Sequence, residues 1–171
     1  MPAIKPPELD IPAHCEPIDP FAGFTAARSF ISRNADDDRL SIRYFRDRRD
    51  GAMTSWAWFG PGAEGAPGRI HGGSVSAILD EALGAAVWTA GIPVVTVKLT
   101  VKYRRPLNVG TLCTIAPVIV RQSGKRVRVI GTLNEEGNGV IAEAEAVYYR
   151  LSDAEIPQEA VRIMRERRGE A

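Results

Sequence analysis

The stretch Arg69–Pro93, "RIHGGSVSAILDEALGAAVWTAGIP", decides the fold. Advanced by about 100° per residue, Val75, Ile78, Leu79, Ala82 and Ala86 fall on one stripe, the mark of a helix that faces a core. Gly91 and Pro93 stop it, so the spacing predicts a helix over roughly 72–90. The back of this helix carries Gly73, Ala77, Gly84 and Ala85 where long polar side chains would be usual. Small residues there suggest that something packs closely, such as a second chain. Asp80 and Glu81 lie on opposite flanks of the apolar stripe. Helical geometry does not choose between them. In such surroundings a carboxylate either edges into solvent or is paired, hydrogen-bonded or functional.

On both sides of the helix the apolar period changes to two. "RLSIRYFRDRR" alternates Leu40, Ile42 and Tyr44 against Arg39, Ser41 and Arg43. Asp50-Gly51 then turns the chain into "AMTSWAWF". After the helix, "VVTVKLTVKYRR" sets Val95, Val97, Leu99 and Val101 against Thr96, Lys98, Thr100 and Lys102. Turns at Asn108–Gly110, Ser123-Gly124 and "NEEGNG" separate "TLCTIAPVIVRQ", "KRVRVIGTL" and "VIAEAEAVYYRL". Strands joined so tightly pair antiparallel. The fold class is therefore α+β: one long central helix on a curved antiparallel sheet of five to six strands.

The rest of the chain divides around that unit. Residues 1–38 form an arm with six prolines in its first 20 positions, and "FAGFTAARSFIS" reads as a short helix packing Phe21, Phe24 and Phe30 on the body. Residues 39–151 are the folded domain, and 152–171 a basic amphipathic tail expected as a solvated helical end.

Bulk properties exclude several function classes. A net charge of +1 gives no reason to expect nucleic acid. No window approaches the ~18 consecutive apolar residues of a membrane span, and no basic-then-apolar leader opens the chain. Cys15 and Cys113 lie far apart and read as free thiols of a reducing, cytoplasmic compartment. His14-Cys15 lacks a third ligand. His14 and His71 are the only histidines, and no Ser-His-Asp set, metal cluster or phosphate loop is present, so no metal or cofactor is expected.

"HGG" opens the helix where backbone N–H groups have no intrahelical acceptor. Glycine lets another molecule approach those donors, and the positive end of the helix dipole suits a carbonyl oxygen gaining charge, or an anion. A plain glycine-rich junction would read the same. Asp80 lies eight residues beyond Gly72, about 12 Å along the axis. A base and an oxyanion donor must both stand near ~3 Å from one reacting centre. The two cannot meet on one helix; they can across a two-fold axis between antiparallel helices.

Gly68-x-x-His71-Gly72-Gly73 with Asp80 nine residues after the histidine, the strand "TVKLTVKYRRPL", the "SGKR" turn and the final "AEAEAVYYRL" together resemble the PaaI-type hotdog-fold thioesterases, over roughly residues 40–151. The resemblance implies hydrolysis of acyl-CoA thioesters by a homodimer or a dimer of dimers (a homotetramer). It makes Asp80 the catalytic carboxylate, as nucleophile or as general base on water. Gly72 N–H then polarises the thioester carbonyl, His71 shapes the helix start with Gly73 beside the substrate, and Thr96 supplies a hydroxyl to water or to the carboxylate. Glu81 has no primary role in this scheme. Some relatives carry Asn or Gln six or seven residues before the histidine; here those positions are Gly65 and Glu64.

A thioester carbonyl is electrophilic enough for a carboxylate and one preorganised donor to suffice. Arg104, Lys125 and Arg126, with Lys102 and Arg105, are candidates for the CoA phosphates. Trp56 and Trp58 read as core or interface rather than acyl-pocket lining. The alternative from another class is a non-catalytic hotdog domain that binds acyl-CoA or a related acyl ligand. A hotdog dehydratase would need an Asp-His pair that His71, at a helix start, does not supply.

Overall fold

A computed structural model describes residues 6–24, 30–31 and 38–170. Helix α1 (Gly72–Thr89) lies in the hollow of one antiparallel sheet. Its strands are β1 (Cys15–Ile18), β2 (Leu40–Asp47), β3 (Met53–Phe59), β4 (Val94–Tyr103), β5 (Thr111–Ile115), β6 (Val118–Ser123), β7 (Arg126–Glu135) and β8 (Gly139–Arg150). Spatial order is β1-β2-β3-β5-β7-β8-β4, with β6 also against β7. A second helix, α2 (Gln158–Arg168), follows the sheet. Among the described residues no helix is long and apolar enough to cross a membrane.

The expected stripe is the buried one. Val75, Ile78, Leu79, Ala82 and Ala86 are all in the core, with Leu83 among them. Gly131 of β7 lets the helix settle, since a Cβ there would stand 2.7 Å from Leu83 Cδ1. The sheet is larger than the five to six strands expected, for two reasons. The proline-rich arm supplies β1, which pairs Cys15–Ile18 with Tyr44–Asp47. And Pro117, which has no N–H to give a ladder, breaks the single expected strand "TLCTIAPVIVRQ" into β5 and β6.

Strict alternation also fails in β4. Its pairing with β8 slips between Thr96 and Lys98, so Thr96 stands opposite Tyr148 while Leu99 stands opposite Ala146. Before the bulge the even positions face the helix; after it the odd ones do. Val95 and Val97 therefore do not share a face with Leu99 and Val101 as expected, and are 49% and 51% exposed. As the last strand of the sheet, β4 has one free edge among the described residues.

The second half of α1 is closed in by its own chain. Phe21 and Phe24 meet the Trp88 ring edge-on, at 6.3 and 5.1 Å between centroids. Phe30 does not pack as expected; it is 68% exposed beneath the Arg39 guanidinium. The short helix expected over "FAGFTAARSFIS" falls largely outside the described residues. The tail is not a solvated end either. Ala160, Val161 and Met164 make one apolar face of α2, and all three are buried. Arg167 then donates to the carbonyls of Asp19, Pro20 and Trp88, and Arg168 to that of Gly91. These guanidinium groups satisfy carbonyls at the negative end of α1. The small residues Gly84 and Ala85 are thus covered by this chain itself, which corrects the expectation of a partner along the whole back of the helix.

Candidate active site

The loop before α1 is fixed ahead of the helix. Ile70 N–H donates to Leu107 O and His71 N–H to Ala63 O, each at 2.9 Å, and the Arg69 guanidinium reaches Asn108 Oδ1. Glu64 Oε1 accepts from Gly68 N–H at 2.5 Å. The Glu64 carboxylate is therefore taken up by the loop's own backbone.

His71 is the N-cap. Its Nδ1 accepts from Gly73 N–H at 2.9 Å, which fixes the proton on Nε2. Its carbonyl accepts from Ser74 and Val75. The imidazole fits a slot between two glycines. A Cβ on Gly73 would come within 2.9 Å of Nδ1, and one on Gly65 within 3.1 Å of the ring. Gly73 thus makes room for the cap. Of the first-turn donors, the Gly72 N–H alone has no acceptor among the described residues. The Gly72 carbonyl accepts from Tyr103 Oη at 2.9 Å, and Tyr103 Oη also meets Ser76 Oγ at 2.6 Å.

Asp80 is half-buried on the flank of α1 that faces β4. Its Oδ1 accepts from Thr96 Oγ1 at 2.9 Å, a contact that the β4 bulge makes possible. Its main-chain oxygen accepts from Tyr148 Oη at 3.1 Å. The ring lies over Gly84, where an added Cβ would stand 3.6 Å away, in ordinary contact. Burial, with the charges of Asp80 and Glu81, pushes the Tyr148 hydroxyl far above its ordinary range, so it remains a neutral donor. Glu81 faces the other way and meets Tyr44 Oη at 3.4 Å. Asp80 and Gly72 stay about 12 Å apart along α1 and do not converge within one chain.

The basic candidates separate into two groups. Arg104 and Arg105 stand at the start of β8. Arg104 N–H donates to Ile141 O, its guanidinium pairs with Glu143 at 2.6 Å, and Arg105 binds the carbonyls of Gly139 and Val140. Lys125 and Arg126 stand at its far end, where Arg150 N–H donates to Lys125 O and the Lys125 ammonium lies 5.2 Å over the Tyr149 ring. Nine residues of strand, about 30 Å, part the two groups. One chain therefore does not bring the candidate phosphate-binding residues together at one place. Lys102 points from the outer face of β4. Trp58 is buried against Gly60, whose Cβ would collide with the indole. His14 lies 3.7 Å from Asp47, and no three metal-ligating side chains converge among the described residues.

Sequence reasoning missed Tyr103, Ser76 and Tyr148. Period two carries Tyr103 onto the face of Leu99 and Val101, where the structure has it, but nothing in the period marks the reach of its hydroxyl to Gly72 O. The glycine at 84, four residues after Asp80, was the available signal for the third.

Comparison with known proteins agrees with this geometry. Residues 67–142, from the loop before α1 into β8, match the family model described as the thioesterase superfamily. The acyl-coenzyme A thioesterase THEM4 of Xenopus laevis is 29% identical over 128 residues, 72% of this chain and 57% of that protein. The chain thus spans little more than half of that relative's length. Among solved structures, a Bacillus halodurans protein with CoA is 26% identical at a TM-score of 0.56, covering 63% of this chain and 72% of that one. The E. coli PaaI protein from the phenylacetic acid degradation operon shares the fold at a TM-score of 0.58 and 17% identity, covering 66% and 80%. Over residues 67–142, from the helix start into β8, the chain is thus similar to the thioesterase superfamily, and it shares the fold of the PaaI protein.

Proposed function

We propose that this chain hydrolyses acyl-CoA thioesters to free acid and CoA, at a site completed by a second copy of itself. The observation that carries the reading is a pair of complementary groups on one helix. Gly72 offers an N–H with no acceptor among the described residues, at the positive end of α1, and Asp80 offers a carboxylate oriented by Thr96. Each is what thioester hydrolysis requires and neither reaches the other.

A two-fold partner resolves the distance. The free edge of β4 exposes Val95 and Val97, and the flank of α1 beside it exposes Gly73 and, in part, Ser76 and Ala77. A ten-residue edge with apolar side chains is a ready surface for a second strand. In that arrangement Asp80 of one chain meets Gly72 of the partner subunit. The thioester oxygen accepts from the Gly72 N–H as it gains charge. Asp80 takes a proton from the water that attacks the carbonyl carbon, or attacks it directly to give an anhydride that water then hydrolyses, and the C–S bond breaks to release the CoA thiolate. The relative and the solved structures support acyl-CoA as the substrate class: one is named for acyl-coenzyme A and another was solved with CoA. The same two-fold supplies a reason for the divided basic groups, since Arg104 of one chain and Lys125-Arg126 of the other then flank a shared site.

The test is release of free thiol from a panel of acyl-CoAs. Turnover is expected for at least one aliphatic or aromatic acyl group, and Asp80→Asn lowers kcat by about 10² or more, with Glu81→Gln far milder. Binding of acyl-CoA without thiol release would assign the chain to the non-catalytic class instead. A larger loss from Glu81→Gln would transfer the role to Glu81.

A further inference from the structure

We propose that Tyr103 and Tyr148 are positioning residues, each seating one of the two reacting groups by hydrogen-bonding the main chain of α1; this rests on the functional reading above. The helix meets the sheet mainly through apolar side chains. Such contacts fix its distance from the sheet but are non-directional, and they resist sliding and rotation only weakly. Among the described residues, the directional contacts from sheet side chains to the backbone of α1 are two tyrosine hydroxyls. Tyr103 of β4 donates to Gly72 O at 2.9 Å, and Tyr148 of β8 donates to Asp80 O at 3.1 Å. The acceptors are the two residues whose placement the reaction depends on.

Neither bond is needed to satisfy the helix. A carbonyl at position 72 or 80 of α1 already faces the N–H four residues on, at Ser76 or Gly84. The tyrosines add a second donor to groups that have one. Both rings also rest on bare backbone. A Cβ on Gly72 would lie 3.5 Å from the Tyr103 ring and hydroxyl, and one on Gly84 would lie 3.6 Å from Tyr148.

Hydrogen accounting orders the first contact further. Tyr103 has one phenolic proton and gives it to Gly72 O, so in the 2.6 Å contact Ser76 Oγ donates to Tyr103 Oη. With Gly73 N–H held by His71 Nδ1, the peptide between Gly72 and Gly73 is gripped at its oxygen and at its nitrogen. The preceding N–H, on Gly72, has no acceptor among the described residues. At the other group, Thr96 holds the carboxylate of Asp80 while Tyr148 holds its backbone.

Tyr→Phe substitution keeps both rings and leaves no carbonyl orphaned, so folding should survive it. Tyr103→Phe and Tyr148→Phe should each lower kcat by roughly tenfold or more with KM for acyl-CoA nearly unchanged, the pattern of a displaced reacting group. A merely structural role would not depend on which reacting group is present. The loss from Tyr148→Phe should therefore vanish in an Asp80→Asn background, and that from Tyr103→Phe in a Gly72→Pro background. NMR reads the same seating without turnover. Tyr103→Phe should shift the Gly72 and Gly73 amide resonances and spare the Asp80 carboxyl carbon; Tyr148→Phe should do the reverse. Unchanged kcat with unshifted resonances, or losses of equal size in both backgrounds, would overturn the assignment. If the wild-type chain turned over no acyl-CoA, the functional reading would fall on its own, and the resonances would still decide whether the tyrosines seat the two groups.

Discussion

Thr96 reaches Asp80 at 2.9 Å because β4 slips by one residue immediately after it. With the later strand's phase carried back to position 96, the threonine would face away from α1. One bulge thus allows a single strand to present a hydroxyl inward at its start and a tyrosine inward at its end. Thr96→Val keeps the β-branched shape and removes the donor. A fall in kcat of about tenfold is expected, the size of a hydrogen bond to a charged group, with little change in Tm. Steady-state kinetics beside a thermal melt would show it; a large drop in Tm with kcat intact would reverse the reading.

The shared site predicts complementation between two inactive chains. Asp80→Asn lacks the carboxylate, and Gly72→Pro lacks the donor N–H at a first-turn position where proline is tolerated. Co-expressed with different tags and purified on both, mixed dimers should carry one intact site and one doubly defective site. Half of the sites in these purified mixed dimers are then intact, against about a quarter in an unselected random pairing. Mixed dimers without activity would place both groups of each site in one chain.

The guanidinium of Arg167 ties together three segments remote in sequence, through the carbonyls of Asp19, Pro20 and Trp88 at 2.7–2.9 Å. Arg167→Ala should destabilise by about 2 kcal/mol, lowering Tm by roughly 4–8 °C in a chain of this size. Arg167→Lys should recover little, because one ammonium cannot span three divergent acceptors. Full recovery by lysine would mean that charge alone holds the junction.

Burial pushes the Cys113 thiol from 9.0 up to about 12. In the unfolded chain the thiol ionises at the lower value. Between these two pH values the unfolded state sheds a proton that the folded state keeps, so stability is full below about pH 9 and falls as pH rises toward 12. Cys113→Ala should flatten that part of the pH–stability curve, measured by urea unfolding. An unchanged slope would show that the loss comes from other groups. Tyr148, raised by the same cause, adds to the decline in both chains.

Much of this arrangement is legible in the sequence, and the parts that are not have physical reasons. The 72–90 helix, its buried stripe and the Asp50-Gly51 hairpin follow from periods and turn residues that act locally. The resemblance carried by the spacing of "HGG" to Asp80 nominates Asp80 and Gly72, which the structure holds apart on α1. The bulge after Thr96 does not, because nothing local marks a slip that serves a contact with a distant helix. Strand β1 was hidden by the prolines around Cys15–Ile18, and the docking of α2 by its many arginines, whose charged faces masked the short row Ala160, Val161, Met164. The basic candidates could be named from the sequence but not placed; β8 puts most of a strand length between Arg104 and Lys125.

The closure of α1 by the arm and by α2 gives the helix a gradient of local opening. From Leu83 to Trp88 every residue is buried, and segments from the arm and α2 close over Trp88, while Gly72–Ala77 includes exposed and half-buried positions. Amide exchange in the second half must wait for Arg167 and the ring cluster at Trp88 to let go, an event close to global unfolding. In the first half it needs only the fraying of a capped turn. The end of the helix whose Gly72 N–H has no acceptor among the described residues is thus the end whose backbone breathes, anchored to a body that does not.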